Sequence, residues 1–131
     1  MVNIGEMLAY MFPKGRSFID WVVKDDGAGP FIETWNRPEP QPTPAEIAAA
    51  VLPATKAARI AQINAECKAR IFGRWPLEKQ MSATLGIYGA ESVAMRDWVD
   101  RHIAASNVAS DQVDTAATVA AVEAVAVAWP V

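Results

Sequence analysis

Four prolines at alternate positions, Pro38, Pro40, Pro42 and Pro44, constrain this chain more than any other feature. Each removes a backbone N–H and pushes the residue before it out of the helical region, so neither a helix nor a central strand can run through them. Residues 38–43 are therefore expected to form an extended, semi-rigid polyproline-II linker, with docking on an aromatic groove of another module as the alternative. Glycines concentrate before this stretch and alanines after it. The expected architecture is α+β: a small antiparallel β-meander over residues 1–37, the linker, then an α-helical region over residues 44–131 that forms a helical hairpin or small bundle.

Within the first part, three strands are expected. Residues 7–12 place Leu8, Tyr10 and Phe12 on one face if extended, residues 18–24 alternate about Ile19, Trp21 and Val23, and residues 31–35 form the third. Two turn signals separate them, Pro13-Lys14-Gly15-Arg16 and Asp25-Asp26-Gly27-Ala28-Gly29-Pro30. Beyond the linker, Thr43-Pro44-Ala45-Glu46 reads as a capping box with proline at the first helical position. Pro53 should kink this helix or start a new one over residues 54–72, whose stripe of Ile60, Ile63, Cys67 and Ile71 faces a partner. Gly73 is the expected cap of that helix. Leu77, Met81, Leu85 and Tyr88 form the apolar row of the next, and the two rows are expected to bury each other across the short turn before Pro76. Gly86 and Gly89 should end this row, residues 90–105 form a further helix, and Asn107 or Ser110 caps an Ala/Val helix reaching residue 129.

The residues available for chemistry are few. With a net charge of −3 and no Lys/Arg cluster, nucleic acid is an unexpected partner. One cysteine, Cys67, permits no internal disulfide and no Cys-based zinc site. Cys67 lies on an apolar stripe and reads as buried and structural, while His102, the sole histidine, reads as a core-edge or capping residue near a helix C-terminus. Asp25 and Asp26 read as turn residues, because the glycine, alanine and proline after them lack the alternating oxygen ligands of a calcium loop. No catalytic, cofactor-binding or metal-binding residue is assigned, and no cofactor. No stretch reads as a signal peptide or a membrane span, so the expectation is a soluble protein made in a cytoplasm.

Five tryptophans are present. Trp21 and Trp98 suit core filling. Trp35, Trp75 and Trp129 flank linkers or ends and are the candidate partner-binding anchors, because tryptophan buries a large area while keeping a polar N–H.

The run from Asp25 to Asn36, with Phe31-Ile32-Glu33-Thr34-Trp35 at its end, followed by Pro38, Pro40 and Gln41-Pro42-Thr43, resembles short tail proteins of bacteriophages and prophages. These are described as tail fibre assembly proteins or tail assembly chaperones. Tyr10-Met11-Phe12-Pro13, Ile63-Asn64-Ala65-Glu66-Cys67, Ile71-Phe72-Gly73, Trp75-Pro76-Leu77-Glu78-Lys79-Gln80 and Asp97-Trp98-Val99 are similar in style, and the likeness covers most of residues 8–105. It implies no catalytic residue. It implies work by contact with a tail fibre or baseplate protein, in the host cytoplasm during assembly, as a chaperone that masks fibre surface. The alternative is a permanent structural component retained in the virion tail, with homo-oligomerisation within the assembly left open. A small hydrolase or metal protein is the reserve alternative.

Overall fold

The hairpin signalled by the alternating run and the Asp-Gly turn is present. In the computed structural model, which describes residues 3–131, β1 (Trp21–Asp25) pairs antiparallel with β2 (Pro30–Trp35). The register runs from Trp21 opposite Trp35 to Asp25 opposite Pro30, with an irregularity between Val22 and Val23. In the turn, the Asp25 carboxylate accepts from the amides of Gly27 (2.8 Å) and Gly29 (3.3 Å), and Asp26 accepts from Ala28 (3.0 Å). Gly27 and Gly29 take φ of 95° and 122°, values open to glycine and strained for other residues. The aspartates thus serve the turn, as the sequence suggests.

The first expected strand is instead a helix, α1 (Ile4–Met11). Alternation at Leu8, Tyr10 and Phe12 competes there with a capping box. Asn3 accepts from the Glu6 amide (2.9 Å), and the Glu6 carboxylate accepts from the Asn3 amide (2.7 Å). Two orphan donors are satisfied at once, and Met7 and Leu8 are the residues α1 buries. The α+β class stands, with a two-stranded sheet near the N-terminus followed mostly by helices.

The chain falls into two compact units, Met1–Ala57 and Ala58–Val131. The first is organised by rings. Trp21, fully buried, lies 6.1 Å from Trp35 at an interplanar angle of 18°, and Phe12 meets Trp35 edge-on at 5.2 Å. Arg37 covers the Phe12 ring at 5.1 Å and pairs with Glu39 at 2.7 Å. The hydrogen bond from Arg37 holds the Glu39 carboxyl below the usual carboxylate range, and the same bond raises Arg37. Between the turn residue Gly15 and β1, Phe18 adopts φ 66°, a left-handed conformation that costs a residue with a Cβ about 1–2 kcal/mol.

No helix or strand covers residues 37–43, as alternate prolines require. This segment packs on its own unit. Pro42 is buried, and Gln41, Pro42 and Pro44 line a cleft of about 370 Å³ with Phe31 and Ile47. The Thr43 capping box then forms, with the Glu46 amide donating to Thr43 Oγ1 (3.2 Å) and the Thr43 amide donating to Glu46 Oε2 (2.8 Å).

From there α2 (Pro44–Arg74) runs without a break through Pro53, so no new helix starts at residue 54, and Gly73 lies inside the helix. A proline deletes one helical hydrogen bond, and the turns on both sides carry the helix across that loss. Of the expected stripe, Ile63 and Cys67 are buried, and Ile60 and Ile71 are half-buried. The second unit also contains α3 (Leu77–Thr84), α4 (Ala90–Thr115) and α5 (Val119–Glu123). Gly86 and Gly89, at φ 75° and 54°, separate α3 from α4 as the sequence suggests.

The two expected C-terminal helices are otherwise divided. α4 continues through Asn107 and Ser110 to Thr115, and neither residue caps a helix. Its buried positions Ser92, His102, Ser106, Ala109 and Val113 repeat at helical spacing across the point where a break was expected. The break comes at residues 116–118, where Thr118 caps α5 by accepting from the Ala121 amide (3.1 Å). Thr115, Thr118 and Val119 are β-branched and stiff at χ1, so the Ala/Val tail is a weaker helix former than its alanine content suggests. Residues 124–131 carry no regular structure, and Arg59 donates to the Val125 carbonyl at 2.7 Å.

Candidate contact surface

Leu77, Met81 and Leu85 sit four residues apart, so they occupy one side of α3 and its C-cap. They are expected to be buried, but they are 58%, 63% and 78% exposed. The correction has a geometric cause. At about 100° per residue, Ala83 lies about 160° around the helix from the centre of that row, and Ala83 is the residue α3 buries. The helix turns its small side inward and its large apolar side to solvent. Tyr88 and Ile87, in the following loop, add 37% and 66% exposed apolar surface.

This was missed because a spaced apolar row shows that a face exists without showing what covers it. A single alanine between a serine and a threonine gives no comparable signal.

His102 is fully buried within α4, well before its C-terminus at Thr115, so the capping role near a helix end does not apply. Its Nδ1 donates to the Trp98 carbonyl at 2.7 Å, and its Nε2 is buried without a hydrogen-bond partner. The ring is part of a stack. Trp98 lies 4.2 Å away on one contact, and Trp129 lies 6.0 Å away and nearly parallel on another. Arg74 covers Trp98 at 4.6 Å, and Arg70 covers Trp129 at 5.0 Å. The stack ties the C-terminal segment to α2 and α4 within the second unit. Cys67 is a free, buried thiol.

The three candidate anchors are placed apart. Trp35 is half-buried in the first unit's ring cluster, and its indole N–H donates to the Glu39 carbonyl at 2.7 Å. Trp75 is buried, with Lys79 over its ring at 5.6 Å. Trp129 is half-buried on His102. Each is engaged within its own unit, and the most exposed apolar residues lie elsewhere.

Among the described residues, no three His, Cys, Asp or Glu side chains gather as a metal-ligand group, and no helix is long and apolar enough to cross a membrane. Comparison with known proteins adds one finding. Residues 4–59 match the family model described as XkdW protein. No match was found among curated proteins or among solved structures. The matched stretch contains α1, the hairpin, the proline segment and the first part of α2. Its similarity to this phage-associated family supports a phage protein.

Proposed function

We propose that the chain is a non-enzymatic phage tail protein that works by protein–protein contact, as an assembly chaperone covering apolar surface of a tail fibre subunit until the fibre forms. The outward row of Leu77, Met81 and Leu85, continued by Ile87, carries this reading. Apolar side chains repeated along one helix face are the means by which a helix docks in a partner's groove. Their exposure contributes nothing to the chain's own core, and contiguous apolar patches on soluble monomers are usually sites of interaction. Trp35 and Trp129, each half-buried, are secondary anchors in this reading, whereas Trp75 would have to be uncovered first.

Co-expression with the tail fibre subunit of the same phage, followed by pull-down and mass measurement of the complex, tests the proposal. Wild type should capture the fibre subunit. The double variant Met81→Asp, Leu85→Asp should fold with stability lowered by about 1 kcal/mol or less, as two exposed substitutions do, and should bind at least about tenfold more weakly. A wild-type chain that fails to capture the fibre would refute the tail fibre reading, and undiminished capture by the variant would refute the role of α3. Purified virions then separate the chaperone from a permanent component, which would be present there in stoichiometric amounts.

A further inference from the structure

Phe18 combines two features that the fold does not require. Its backbone lies at φ 66°, and its side chain is 80% exposed. Glycine or asparagine would take that conformation with less strain. The Phe18 ring has no place in the Phe12–Trp21–Trp35 cluster nearby. Ile19, beside it, is 53% exposed.

The strained loop is held from several sides. The Arg16 amide donates to Asp20 Oδ2 at 2.6 Å, the Asp20 amide to the Arg16 carbonyl at 2.8 Å, and the Phe18 amide to the Trp21 carbonyl at 2.8 Å. Asn36 closes it from β2's end, its side chain donating to the Ile19 carbonyl (3.0 Å) and its amide to the Asp20 carbonyl (2.8 Å). A strained conformation persists where its surroundings over-determine it, and such sites are commonly functional. A knob fixed in this way loses little further freedom on binding.

The charges around the knob narrow the choice of partner. Lys14 is exposed, and the Arg16 side chain, 70% exposed, lies 3.9 Å from the Asp20 carboxylate, which is only 20% exposed and is shared with Arg37 at 3.7 Å. The solvent-facing charge beside the knob is therefore positive.

We propose that Phe18 and Ile19 form an anchor that enters an apolar pocket, rimmed by carboxylates, on a protein partner. This surface is separate from the α3 row and rests on the reading only in so far as the chain works by protein contact. A protein pocket suits it better than a membrane, because two apolar side chains bury little area in a bilayer and one weak signal does not anchor a chain there.

The test uses the full-length chain in three arms. Phe18→Asn should raise Tm by about 3–6 °C by relieving the left-handed strain, yet weaken binding to the purified tail fibre subunit at least about tenfold. A merely structural Phe18 would lower Tm instead. In the second arm, Phe18→p-benzoylphenylalanine is irradiated in phage-infected cells and the cross-linked peptide is sequenced. The expected product is one protein peptide with apolar residues flanked by Asp or Glu. If wild type fails to bind the fibre, the tail fibre reading falls and this cross-link alone decides the anchor. The third arm measures co-sedimentation with phosphatidylcholine/phosphatidylglycerol vesicles, where no binding is expected. A fibre affinity unchanged by Phe18→Asn, the absence of a protein cross-link, or vesicle binding abolished by Phe18→Asn would each overturn the proposal.

Discussion

Gly15→Ala and Gly73→Ala add the same methyl group and should have opposite effects. At Gly15 the new Cβ would overlap the edge of the Trp21 ring and meet the Phe12 carbonyl at 3.1 Å. Trp21 cannot retreat easily, since it is fully buried with Phe12 6.4 Å and Trp35 6.1 Å from its ring centre. The Gly15 amide also donates to the Phe12 carbonyl at 2.8 Å, which ties the backbone down. Replacing glycine by alanine restricts the unfolded chain and by itself would stabilise by about 0.4–1 kcal/mol. Forcing a packed ring aside costs about 1–3 kcal/mol, so the net expectation is a loss of about 1–2 kcal/mol. At Gly73, inside α2, an added Cβ meets nothing within 4 Å. Only the helix and chain-entropy terms remain there, and a gain of about 0.5–1 kcal/mol is expected. Urea unfolding of wild type and both variants measures the signs, and near-ultraviolet circular dichroism reports the Trp21 environment. A Gly15→Ala variant stabilised as much as Gly73→Ala, with an unchanged near-ultraviolet spectrum, would refute the close packing of Gly15 on Trp21.

Two further outcomes follow from burial and charge. Ile63 has no exposed area, so Ile63→Ala should cost about 2–5 kcal/mol in urea unfolding, and a loss under about half a kcal/mol would show that the stripe is not core. Glu39 is held below the usual carboxylate range by its hydrogen bond from Arg37, so its contribution is full above the unfolded-state glutamate value and is lost as pH falls through the lower folded value. Melting curves from about pH 6 down to pH 3 should therefore show a shallower acid loss of stability in Glu39→Gln than in wild type, and superimposable slopes would contradict the pairing.

Local chemistry was legible in the sequence wherever a few neighbouring residues settle the outcome. The alternate prolines exclude regular structure from residues 37–43, the Thr43–Glu46 box opens α2, and the Asp-Gly turn closes the hairpin. Each rests on hydrogen bonds or steric limits within four residues, which tertiary context rarely reverses. The capping box at Asn3 and Glu6 was equally readable, and it decides residues 4–11 against the weaker alternation of Leu8, Tyr10 and Phe12. Tertiary structure decided what periodicity leaves open. An apolar row at helical spacing looks the same whether it faces a core or solvent, and the choice of Ala83 as the buried side of α3 leaves Leu77, Met81 and Leu85 outside. The same holds for His102, whose burial between Trp98 and Trp129 joins residues distant in the chain. Phe18 is the sharpest case. Its left-handed backbone sits in a loop that the Phe18 amide closes locally on the Trp21 carbonyl. The loop is held from a distance by Asn36, which donates to the Ile19 and Asp20 carbonyls, and nothing in the residues Ser17-Phe18-Ile19 favours that conformation.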